Sequence, residues 1–176
     1  ATGRFNNPLG VPNQVANSDI YNVKLAEEIL SAFEPELLVV NMQAIDAGHQ
    51  NFTQYCNNIR KADHAVAHLW QHIQSIPSMR DDTLLVIAPE HGRNLEPNSL
   101  VDQYGKAALD HTSDATSREI FALLVGPGSV VDQGATVGTV SGPRGESIDL
   151  VPTIADALGF LPDVPSGLLR GQSLIS

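Results

Sequence analysis

The chain has 176 residues, 42% of them hydrophobic, enough for one domain with a real core and too few for two full ones. Ten Lys and Arg against twenty Asp and Glu give a formal charge of -10, which opposes attraction to nucleic-acid backbones and to anionic lipid. The single cysteine, Cys56, excludes an internal disulfide and a thiolate zinc cluster, so a metal here needs histidine and carboxylate ligands.

Residues 1–20, rich in Asn, Pro and Gly, read as an irregular lead-in. They begin without Met and show neither the charged nor the apolar region of a signal peptide, so the natural start is expected elsewhere. Residues 21–176 read as a single α/β domain. Over residues 21–33 Val23, Ala26, Ile29, Leu30 and Phe33 recur at helical spacing and predict a surface helix with one apolar stripe. "ELLVVNM" (36–42) is short and rich in β-branched residues, as in a strand covered on both faces. The longest periodic segment, 51–76, places Ile59, Ala62, Val66, Leu69, Trp70 and Ile73 on one side of a helix that Pro77 ends. On that helix His64, His68 and His72 are four apart and point away from the stripe, toward solvent. Asp63 has a surface role there, and Cys56 reads as a small buried apolar residue.

"TLLVIAP" (83–89) predicts a second buried strand, and it runs into a loop of about 28 residues, a length that implies function or partial structure. "EIFALLVGPG" (119–128) predicts a third strand, 130–140 an edge strand or hairpin arm, and 147–159 a helix whose first turn accommodates Pro152. No apolar run approaches the roughly 18 residues of a membrane span. Strands alternating with helices predict a three-layer α/β/α arrangement with a mostly parallel sheet, in which ligands gather beyond the carboxyl ends of the strands.

Three loops near those predicted strand ends each pair a carboxylate with an imidazole: Asp46 with His49, Glu90 with His91, and Asp110 with His111. This is the ligand set that zinc and manganese accept. Each pair also has a plain structural explanation, since Asp-Ala-Gly-His suits a capped turn and Glu-His-Gly a strand exit. Their recurrence in three loops is what points to metal. Arg93, just past the second pair, is either a solvated loop cation or a contact for a substrate oxygen.

"NMQAIDAGH", "APEHG", "LDHT" and the closing "IDLVPTIADALGFLPDVPSGLLRGQSLI" resemble, in that order, the C-terminal half of the alkaline phosphatase superfamily, over roughly residues 22–176. That superfamily includes nucleotide pyrophosphatase/phosphodiesterases, sulfatases and cofactor-independent phosphoglycerate mutases. The resemblance implies an alkaline-phosphatase-like sheet, of which this chain is part, and two divalent ions, zinc or manganese. Asp46, His49 and His111 would hold one ion, and Glu90 and His91 would help to hold the other. It implies hydrolysis of a small phosphate, phosphodiester or sulfate ester by a two-metal clamp, and it allows an exported location. The alternative is a module that keeps the fold and a cation but has lost catalysis.

The sequence departs from the family in three ways. "DAGH" is one residue shorter than the usual Asp-x-x-Gly-His, and Glu90 stands where an Asp is usual. The nucleophilic Ser or Thr and a further metal-binding Asp belong to an N-terminal half that these residues do not include. That half is therefore the implied partner. Thr112 and Ser113 follow the last histidine, but the family's equivalents there are not nucleophiles.

Overall fold

The structure, a computed structural model, describes residues 18–112 and 114–175. The described residues fall into two compact units. The first takes those up to Arg80 together with Arg93–Thr116, and the second takes Asp81–Gly92 with those from Ser117 on. Most of the lead-in, and Ser113, lie outside the described residues.

The first unit is built on two helices, α1 (Ser18–Phe33) and α2 (Phe52–Ser75), packed on each other. Its core joins Val23, Ala26 and Leu30 of α1 to Ala65, Leu69 and Ile73 of α2. The Asn51 side chain caps α2 by accepting the Gln54 N–H at 2.8 Å. At the other end Ile76 turns extended, as a residue before proline does. The buried stripe of α2 is Asn58, Ala65, Leu69 and Ile73, one residue back from the predicted line at two of its positions, and Ile59 is 40% exposed. A polar contact lies at this helix interface: Glu27 of α1 is buried and pairs with His68 and Lys24. His72 bonds Ser31 at 2.9 Å. So His64 alone of the three histidines is exposed, while His68 and His72 are half-buried at the helix interface; Asp63 is exposed and Cys56 half-buried.

The predicted parallel sheet does not form. Among the described residues the strands make two antiparallel pairs: β1 (Leu85–Ile87) with β4 (Leu123–Val125), and β2 (Pro97–Val101) with β3 (Ala107–Leu109). The three-layer α/β/α, alkaline-phosphatase-like architecture is therefore corrected to a helical pair with a small hairpin in one unit, and a two-stranded ribbon in the other. The run 36–42 shows why the prediction failed. It forms no helix, and no strand pairs with it among the described residues. Leu38, Val40 and Met42 pack against the helical core, whereas Leu37 and Val39 are 54% and 79% exposed. A one-sided lining of a helix pair can read, in sequence, like a strand buried on both faces.

The long loop is partly structured, since it holds the β2–β3 hairpin and a 3₁₀ turn, Ala115–Arg118. In the second unit the predicted strand 119–128 shortens to β4, and 130–140 forms no strand; Thr139 makes an isolated bridge with Gly142. The helix predicted over 147–159 becomes a 3₁₀ turn, Ser147–Asp149, running into α3 (Leu150–Ala157), with Pro152 third in α3. The closing residues are tied to this helix. Asp149 accepts the Gln172 N–H at 2.8 Å, and Thr153 accepts that of Leu174 at 3.0 Å. Gly171 is required there, with φ at 90° and no room for a Cβ against Asp149. No helix of the described residues is long and apolar enough to cross a membrane.

Candidate metal centre

The first unit brings Asp46, His49 and His111 together, with one potential ligand atom from each lying within 4.8 Å of the others. Asp46 and His49 ride on a 3₁₀ turn, Ala44–His49. Two buried side chains fix that turn. The Asp19 carboxylate, 1% exposed, accepts the N–H groups of Gln43 and Ala44 at 2.8 and 3.0 Å, which would otherwise lack intrahelical partners. Asn58 of α2 donates to the Ala44 carbonyl. The tight turn also accounts for the short spacing of "DAGH". Side chains three apart eclipse in a 3₁₀ helix, so Asp46 Oδ1 comes to 3.2 Å from His49 Nε2.

His111 arrives from the hairpin, two residues beyond β3, and its ring stands edge-on to that of His49 with centroids 4.5 Å apart. Asn94 holds the segment around it, donating its N–H to the Asp110 carbonyl at 2.8 Å and its amide to Thr112 at 3.3 Å. Asp114 closes the same clip by accepting the Leu95 N–H at 2.8 Å.

Arg93 contributes a charge from inside. Its guanidinium donates to Asp46 Oδ1 at 2.7 Å and lies 5.6 Å from the centre of the Tyr55 ring, with the side chain only 11% exposed. It is thus no solvated loop cation. Gly48 packs closely beneath it: a Cβ there would meet Arg93 and Tyr55 side-chain atoms at 3.2 Å, a tight contact. Asp110, which the sequence sets beside His111, bonds His49: its Oδ1 lies 2.8 Å from Nδ1. The same oxygen accepts from the Asn98 amide at 3.0 Å.

The electrostatics keep both carboxylates ionised. Burial pushes the Asp46 carboxyl up, but the Arg93 hydrogen bond and the charges of His49, Arg93 and His111 together hold it below the ordinary carboxylate value. The His49 contact, then the Asn98 amide, hold that of Asp110 below it as well.

This donor set could hold a divalent ion. Two imidazoles and one carboxylate, with an open further position, are a known catalytic zinc arrangement. Tetrahedral bonds of about 2.0–2.1 Å place neighbouring donors roughly 3.3 Å apart, and Asp46 Oδ1 and His49 Nε2 are 3.2 Å apart. With its side chain 58% exposed, Asp46 leaves the group open to solvent.

Glu90 and His91 belong to the second unit. There they face each other at 3.3 Å, with the Glu90 side chain 88% exposed, and His91 Nδ1 lies 2.8 Å from the Gly92 carbonyl oxygen. Sequence reasoning missed the roles of Asp19, Asn58 and Asn98. All three lie far along the chain from the residues they hold, so spacing carries no signal of them.

The chain matches no family model, no curated protein and no solved structure.

Proposed function

We propose that this chain contributes a divalent-metal centre, Asp46, His49 and His111, to a hydrolase of phosphate, phosphodiester or sulfate esters. The observation that carries the reading is the meeting of three ligand atoms, from two separate segments, within 4.8 Å. The order of "DAGH", "EHG" and "DHT" along the chain supports the same chemistry. Zinc or manganese bound there would act as a Lewis acid on the ester's non-bridging oxygen. Asp46, His49 and His111 serve as ligands, not as proton donors, and Arg93 keeps Asp46 ionised and oriented. Glu90 and His91 are the candidates for a second ion. The superfamily's attacking Ser or Thr has no counterpart among the motifs that carry the resemblance.

A second reading, a cation-binding or structural module without catalysis, is favoured by one observation: Arg93 already offsets the charge of Asp46.

Elemental analysis of the dialysed chain after exposure to zinc or manganese tests the site. One ion per chain at this centre, lost in His49→Ala and in His111→Ala with unchanged circular dichroism, is the expected result. Unchanged metal content in either variant refutes the assignment. A panel of aryl phosphate, phosphodiester and sulfate esters, tried on the longest natural polypeptide that contains this sequence, then separates hydrolase from module.

A further inference from the structure

The His49 ring lies between two carboxylates. Nδ1 is 2.8 Å from Asp110 Oδ1, and Nε2 is 3.2 Å from Asp46 Oδ1. An ionised carboxylate has no proton to give and can only accept, and a neutral imidazole has a single N–H. The two acids therefore compete for one hydrogen, and the geometry decides between them. The Asp110 contact has the ordinary length of a charge-assisted hydrogen bond, whereas the Asp46 contact is longer than the usual 2.9–3.0 Å. Asp46 Oδ1 is also engaged by the Arg93 guanidinium at 2.7 Å, which weakens it as an acceptor for the ring.

Asp110 is itself braced. The Asn98 amide nitrogen donates to Asp110 Oδ1 and to the backbone carbonyl of His49, each at 3.0 Å, so one side chain of β2 ties the carboxylate to the residue it bonds. We propose that Asp110, steadied by Asn98, is a positioning residue: it fixes His49 with the proton on Nδ1 and so leaves the Nε2 lone pair facing Asp46 and His111. A carboxylate bonded to the far nitrogen of a ligating imidazole sets its tautomer, fixes its ring plane and raises its basicity. The positioning itself stands on hydrogen-bond geometry; its consequence for metal affinity rests on the metal-centre reading above.

Nitrogen-15 NMR of the metal-free full chain, at a pH where the imidazole is neutral, tests this directly, with the His49 signals assigned by their loss in His49→Gln. The expected spectrum shows a protonated Nδ1 and a bare Nε2. Asp110→Ala moves the proton to Nε2, and Asp110→Asn, which keeps an acceptor oxygen under Asn98, retains the wild-type form. Zinc affinity falls by roughly 10- to 100-fold in Asp110→Ala and by less in Asp110→Asn. A wild-type ring protonated on Nε2, or a tautomer indifferent to Asp110→Ala, overturns the proposal. So does a zinc affinity unchanged in Asp110→Ala. Should Asp110→Ala fail to fold, the wild-type spectrum and Asp110→Asn decide. A chain that shows the expected tautomer yet takes up no zinc refutes the metal centre and leaves the positioning by Asp110 standing.

Discussion

The carboxylate of Asp102 caps a helix from another part of the chain: its Oδ2 accepts the backbone N–H of Thr53, in the first turn of α2, at 2.9 Å. Its other oxygen accepts the N–H groups of Tyr104 and Lys106 at 2.9 and 3.0 Å. One side chain thus closes the β2–β3 turn and satisfies an orphan donor at the positive end of the longest helix.

That geometry makes an acid-sensitive joint. Burial raises the Asp102 carboxyl, but the N–H groups of Lys106, Thr53 and Tyr104 outweigh it and lower the pKa from 3.8 to about 2. A depressed folded-state value stabilises the fold above the ordinary one and loses that contribution as pH falls toward the folded one. The gap in urea midpoint between wild type and Asp102→Asn is therefore expected to be full above about pH 4 and to narrow steadily toward pH 2. Midpoints that stay parallel throughout would disprove the role.

Asp19→Asn replaces a two-oxygen acceptor with one that turns an N–H₂ toward a backbone donor in a site 1% exposed. A loss of about 1–3 kcal/mol is expected, the cost of one buried group left unsatisfied. Zinc affinity should weaken alongside it, because the turn bearing Asp46 and His49 loses its anchor. Urea denaturation and calorimetric titration read the two effects, and an intact affinity in a destabilised protein would show that the turn holds without Asp19.

His68→Leu strands the Glu27 carboxylate, 2% exposed, with Lys24 as its remaining charged partner. The single change should cost about 1–3 kcal/mol. Glu27→Leu made in the same chain should recover most of that, since it removes the buried carboxylate that the first change leaves without its imidazole partner. A double-mutant cycle in urea checks this, and additive losses would contradict it.

Arg93→Gln removes a positive charge in direct contact with Asp46. Unit charges about 4 Å apart interact by about 1 kcal/mol even in water, so zinc should bind at least several-fold tighter to the variant, with the difference shrinking as salt is added. Calorimetric titration at two ionic strengths measures it. Weaker binding would mean that orientation of Asp46 by Arg93 outweighs its repulsion of the ion.

The helices were legible because their signals are local. Three-four spacing marks residues 21–33 and 51–76, and Pro77 marks the end of α2. The buried place of Glu27 at the helix interface was not, because no hydrophobicity pattern places a charged residue inside. Strand content was overestimated for a related reason: in "ELLVVNM" every second aliphatic residue packs on helices while Leu37 and Val39 face outward, and composition does not distinguish the two. At the candidate metal centre, residue types and order drew attention to Asp46, His49 and His111. Arg93 inside the cluster, and the bond from Asp110 to His49, are tertiary facts, set by how the hairpin meets the 3₁₀ turn.

The turn that carries Asp46 and His49 has a consequence for length, not only for composition. With three residues to a revolution, one extra residue between them would swing the imidazole about a third of a circle away from the carboxylate. Point substitutions at Ala47 leave the two in step, but insertions do not. In this segment the count of residues matters as much as their identity.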